Sequence, residues 1–165
     1  MAVVSDRRFP PAQGDERGVL SGWLDWQRAT VHRKSAGLSD VTAQQQLLDS
    51  SSLSVASVVS HLRWVEWHWF ERSFLGREGE TADSSNGWDV GDVPLDNLLH
   101  AYAEQCAHSR SIVEAHHLDE LETYAPPNIE VVSLRWIIGH VIEETARHLG
   151  HLDLLREAAD GVRGY

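Results

Sequence analysis

Twelve residues near the C-terminal end, HVIEETARHLGH (140–151), hold three histidines and two glutamates. On a helix turning 100° per residue, Glu144 lies about 40°, His148 about 80° and His151 about 20° from His140 around the axis. All four share one arc. Trp136 and Leu155 fall on it too, which marks it as the core-facing stripe, while Glu143 lies well outside and faces solvent. An unpaired carboxylate in a helical core costs several kcal/mol or shifts its pKa. A divalent cation resolves the conflict, because side chains at i and i+4 are neighbours and can converge on one ion. His140 and His148 are about 12 Å apart along the axis, so the four groups cannot share a single ion. Either His140 with Glu144 or Glu144 with His148 is the primary pair, an N/O set of the kind that binds zinc, nickel or iron. The competing reading of the same spacing is a purely structural polar cluster.

A third ligand has to come from another helix, and HLRWVEWHWF (61–70) offers one. His61 directly follows the apolar run VASVV and shares a face with Val58 and Val65, so it is expected to point inward. His68, seven residues on, cannot easily reach the same ion, and Glu66 points elsewhere. A lone histidine on a half-apolar helix face is ordinarily a satisfied core or boundary residue. His32, His68, His100, His108, His116 and His117 are read that way, the last two meeting a helix dipole at the C-terminal end in AHHLD. Cys106, in YAEQCAHSR, has no obvious activating neighbour beyond His108 and is expected to be a buried, inert thiol.

The elements that must position these groups are helical. Residues 1–14, with Pro10 and Pro11, read as an extended arm, and 15–165 as a single domain. A first helix is expected from Asp15, an N-cap, to a stop at Gly37, with Val19, Leu20, Trp23, Leu24, Gln27 and Val31 as its apolar stripe. Residues 38–53 form a connector with one helical turn around TAQQQLL. A second helix starts after Ser54 and runs to about Phe74, stopped by Gly76. A third begins at Pro94 and carries Leu95, Leu98, Leu99, Tyr102, Cys106 and Ile112 inward. Residues 118–132 cross over through Pro126 and Pro127, with IEVV too isolated for a strand, and Ser133 caps a fourth helix ending before Gly161. Four helices of about 20 residues or more imply an all-α four-helix bundle. The segment 76–93, GREGETADSSNGWDVGDV, is a long loop expected to cover the entrance of a site and shape its pocket with Trp88.

Composition narrows the function. The chain has 165 residues and a formal net charge of -11, which argues against a nucleic-acid partner, since phosphate binding needs a basic face. It equally disfavours an anionic membrane surface, and no apolar run approaches the roughly 18 residues of a spanning helix. The N-terminus lacks the apolar region of a signal peptide, and one cysteine cannot form an internal disulfide, so a cytoplasmic location is expected. Seven tryptophans and ten histidines are many for this length. Trp64, Trp67 and Trp69 cannot all face one core, which raises the expectation of a homodimer or an exposed pocket.

The stretches SVASVVSHLRWVEWHWF and SLRWIIGHVIEETARHLGHLDLLRE, with ERGVLSGWLDWQRATVHRKSAGLSD before them, resemble the DinB-like (YfiT-like) metal-binding family, and most closely its actinobacterial, mycothiol-dependent branch. The resemblance covers about residues 15–161, and its most specific part is the last helix. It implies a four-helix bundle in up-down-down-up order with long crossovers, and a metal held by three protein ligands. The motif position after the apolar run falls on His61. The two positions four apart on the last helix fall on Glu144 and His148, with HLGH where the family has HRGQ. Many members have histidine where this chain has Glu144, and other thiol-using members carry glutamate there. His140 then sits one turn from the site, and His151 is placed to orient a water or substrate.

Three protein ligands leave open coordination positions, as catalytic sites do. The resemblance implies a metal-dependent thiol S-transferase in which mycothiol, held as a metal-bound thiolate, attacks an electrophilic small molecule; zinc is the first expectation, nickel or iron(II) the alternatives. The same ligands would support a hydrolase using metal-bound hydroxide, and a non-catalytic metal-binding scaffold is the third reading. Arg147 and Arg63 are read as solvated surface residues able to bind a carboxylate.

Overall fold

The computed structural model describes residues 7–46, 53–78, 85–127 and 130–164. Helix α1 (Glu16–Ser35) starts where expected, with the Asp15 carboxylate accepting from the Gly18 amide at 2.7 Å. Helix α2 (Asp40–Gln44) is one short turn capped by Ser39. It begins two residues before the expected TAQQQLL turn, whose two leucines lie outside the described residues. Helix α3 (Val55–Glu66) opens with a reciprocal cap between Ser54 and Ser57, and α4 (Leu95–Ala115) follows Pro94. Helix α5 (Leu134–Asp160) runs from a Ser133 cap to Gly161, whose φ of 77° is the left-handed stop that glycine adopts without strain. Among the described residues there is no strand. The crossover 118–132 carries one isolated bridge, Leu121 to Ser133.

The long helices pack in pairs: α1 lies along α5 and α3 along α4, while α3 also meets α5, and α1 touches α3 and α4. Two groups of buried apolar side chains hold them. One gathers Val55, Val59, Leu62, Leu98, Tyr102 and Leu152, and the other Leu24, Val65, Phe70, Ile112, Ile137 and Val141.

Three expectations need correction. The second helix is not α-helical to Phe74, because Trp67–Phe74 continues as a π-helical segment. The wider π turn changes which residues face inward: Phe70, Glu71, Ser73 and Phe74 are buried, while Trp67, His68 and Trp69 stay half exposed. On α1, Trp23 is 41% exposed and the stripe is shared by Arg28, which is buried. Its guanidinium forms two parallel bonds to Glu66 of α3, Nε to Oε1 at 2.7 Å and Nη2 to Oε2 at 2.6 Å. On α5, the arc bearing His140, Glu144 and His148 is only partly the core stripe: His148 and Leu155 on it are buried, but Trp136 is 48% exposed. The centre of the core side lies beside it, at Ile137, Ile138, Val141, Thr145 and Leu152. The ionisable arc therefore runs along the seam with α3, at the edge of the core, where carboxylates need not be fully desolvated.

Candidate metal centre

That seam brings His61 of α3 opposite Glu144 and His148 of α5. One ligand atom from each of the three lies within 4.8 Å of the others, and among the described residues no other group of three or more such side chains converges. Glu144 Oε1 is 3.1 Å from His148 Nε2 and 3.5 Å from His61 Nε2. Four-coordinate zinc with arms near 2.0–2.1 Å separates its ligand atoms by about 3.3 Å, so these spacings suit a divalent ion. His61 and His148 are 7% and 5% exposed, and the Glu144 side chain reaches the surface at 18%. The group is thus sheltered and open on one side.

The protonation state also fits. Burial, and then the charge of His61, hold the His148 imidazole below the ordinary histidine range. Burial would raise the Glu144 carboxyl, but contacts to His148 and His61 outweigh it and place it below the ordinary carboxylate value. A neutral imidazole beside an ionised carboxylate is what a cation requires.

The orientation of His61 comes from a residue that sequence reasoning missed. Its Nδ1 lies 2.8 Å from the Asn86 carbonyl oxygen. A carbonyl only accepts, so Nδ1 carries a hydrogen and Nε2 is the ring atom left to meet an ion. It faces the Glu144 carboxylate oxygen at 3.5 Å. A cation between the two would be held by both. Asn86 (φ 54°) and Gly87 (φ 81°) form the tight turn. A Cβ on Gly87 would stand 2.8 Å from the Ser60 carbonyl oxygen and 2.9 Å from the His61 Cα, so only glycine lets the turn press onto α3. Trp88 then lies flat over His61, with ring centroids 3.9 Å apart and planes 13° apart. The Asn-Gly dipeptide was a visible turn signal; what it touches, 25 residues back along the chain, was not.

His151 Nδ1 is 3.2 Å from His148 Nδ1. An imidazole can donate or accept there, so His148 is able to carry its proton on either nitrogen as Nε2 demands. His140 does not join the ligands. It stacks on Trp136 and meets Trp69 edge-on, and the α5 pair that converges with His61 is Glu144 with His148. The histidines set aside at the outset lie outside the group: His100 faces Glu104, His108 faces Glu71 and His116 faces Glu120. Cys106 is buried, and burial, together with the charge of Glu66, pushes its thiol well above the ordinary range. Trp88 also lines a cleft of about 520 Å³, together with polar groups including Gln44, Ser57, Ser85 and Asp89.

Fold and site together define an all-helical protein with two imidazole nitrogens and one carboxylate gathered at a helix seam. Residues 19–161 match the family described as Mycothiol-S-transferase. The chain belongs to that family, a DinB-like family of actinobacteria. Among curated proteins none matches it. No helix of the described residues is long and apolar enough to cross a membrane.

Proposed function

We propose that this protein is a metal-dependent thiol S-transferase, cytoplasmic, joining a mycothiol-type thiol to an electrophilic small molecule. The observation that carries the reading is the convergence of His61, Glu144 and His148 in a chain of this family. The pairing of α1 with α5 and of α3 with α4 supports a four-helix bundle in up-down-down-up order. Zinc is the expected ion. When bound, it supplies the Lewis acidity that keeps a coordinating thiol deprotonated at neutral pH.

The chain's own groups do the rest. The Asn86 carbonyl holds His61 in one tautomer, and Trp88 fixes its ring plane. Glu144 contributes the negative charge that an all-histidine set would lack. The polar cleft beside Trp88 offers the hydrophilic body of the thiol a place next to the centre. His151 is assigned the positioning of a water or substrate: with its Nδ1 accepting from His148, its Nε2 carries the hydrogen and can donate it outward. Arg147, with Nη1 3.9 Å from Glu144 Oε2, stands at the mouth, where it can meet a carboxylate of either substrate.

The test joins metal content by elemental analysis with turnover. Stoichiometric zinc, and thiol-dependent consumption of an electrophile that is lost in His61→Ala, is the expected outcome. Metal-dependent ester or amide hydrolysis without any thiol would replace the proposal with a hydrolase. Absence of stoichiometric metal after purification would reduce the triad to a structural polar cluster.

A further inference from the structure

Seven tryptophans are unusual in a chain of this size, and the structure shows where most of them go. Trp23 and Trp26 clasp Phe9 of the N-terminal arm. Four others border the metal centre. Trp88 covers His61 from one side. From His61 the rings continue along the α3–α5 seam as a file that closes on itself at its far end, where His140 stacks on Trp136. Trp64 lies near-parallel to His61, with centroids 6.0 Å apart, and stacks on His68 at 4.6 Å. His68 meets Trp69 at 5.4 Å, and Trp69 crosses the seam to His140 at 4.6 Å and Trp136 at 5.5 Å.

We propose that this file of rings is the seat of the electrophilic substrate, and that the substrate is a planar, conjugated or aromatic molecule lying against one of its exposed ring faces with its reactive carbon toward Glu144. The inference rests on the thiol-transfer reading and deepens it by naming the acceptor class. Three observations carry it. The file is continuous with the metal centre, since His140 stands one helical turn from Glu144. Its rings are accessible: Trp136 is 48% exposed, and Trp64, His68, Trp69 and His140 are half buried. Aromatic faces prefer other flat π systems as partners. One charged group stands at the Glu144 end, where Arg147 Nη1 lies 3.9 Å from Glu144 Oε2. A lasting protein partner needs on the order of 800 Å² per side, far more than single rings in file provide. The polar cleft is lined by Trp88 and by none of these other rings, which leaves separate seats for the two co-substrates. The chemistry balances without a redox partner. The thiol sulfur forms a C–S bond, and a leaving group departs with its bonding pair. In a conjugated acceptor, the π electrons shift to the carbonyl end and that end takes the thiol proton.

Trp69→Leu and Trp136→Leu test the proposal in the zinc-loaded protein, with mycothiol as thiol and two acceptors, 1-chloro-2,4-dinitrobenzene and iodoacetamide. KM for the aromatic acceptor is expected to rise about five- to tenfold in each variant. KM for the thiol and kcat/KM for iodoacetamide stay within about twofold by the same argument. A second measurement needs no turnover: unreactive 2,4-dinitroaniline is titrated against the protein by tryptophan quenching. Weaker binding in both variants supports the seat even if no thiol transfer is found, which separates this inference from the functional reading beneath it. Equal binding and equal KM in wild type and variants overturn it. So does a dimer in sedimentation that Trp136→Leu dissociates, which would make the file of rings a contact between copies.

Discussion

His61 can serve an ion only if its ring proton stays on Nδ1, and one backbone carbonyl arranges that. The Asn86 oxygen holds the proton at 2.8 Å, and Gly87 is what allows the turn to come so close. Gly87→Ala would bring a Cβ against the backbone of Ser60 and His61, atoms that cannot swing aside. It is expected to weaken metal affinity by about 10- to 100-fold, as loss of an orienting partner does, read by competition with a chromogenic chelator. A change of less than twofold would show that the turn does not set the ring. A second expectation concerns protons. Burial first, and then neighbouring positive charge, hold both His148 and His68 below the ordinary histidine range. As pH falls below about 6.5, the unfolded chain therefore takes up these protons before the folded one does. The metal-free protein should lose stability on acidification through that window, with a lower urea midpoint at pH 5.5 than at pH 7.5. An unchanged or higher midpoint would contradict it. At this scale the converging triad was legible, because four-residue spacing on one helix and a histidine after an apolar run are local patterns. Asn86 was not, because its role exists only where the loop lands.

At the scale of elements, α3 carries two duties on different faces. One face offers His61 to α5, and another offers Glu66 to Arg28 of α1, with the pair buried and doubly bonded. Removing one partner of such a pair strands the other charge, at a cost of about 3–5 kcal/mol. Glu66→Ala should therefore lower unfolding free energy by that amount, whereas the joint replacement Arg28→Met with Glu66→Leu recovers most of it. If the double variant is no more stable than the single one, the pair is not the source of the loss. The helix ends were readable from Asp15, Ser54, Ser133 and Gly161, since capping chemistry is written in one or two residues. The π-helical stretch Trp67–Phe74 was not, because an apolar stripe is drawn on the assumption of 3.6 residues per turn. Arg28 escaped for a related reason: a stripe treats every charge as outward-facing until a partner is known. Trp136 escaped for another reason: α5 is a regular α-helix, but Trp136 stands at the exposed edge of an arc whose other edge carries the buried His148 and Leu155.

For the whole molecule, an ion that binds only the folded chain adds stability in proportion to its occupancy. At free zinc a hundred times the dissociation constant the gain is about 2.7 kcal/mol, or roughly 5–10 °C in Tm for a chain of this length. His61→Ala should melt at the same temperature with zinc as with chelator. A shift that persists in that variant would place the ion elsewhere. The candidate ligands include residues 61 and 144, 83 positions apart (144 − 61). An ion held between them would act as a removable rivet between two distant stretches of chain, closing a long loop that no covalent bond closes. Chelation would not unravel the protein evenly. It would unfasten the α3–α5 seam first, leaving the α1–α5 and α3–α4 pairings intact, so hydrogen exchange should quicken around His61 and Glu144 while the amides of α4 remain as slow as before.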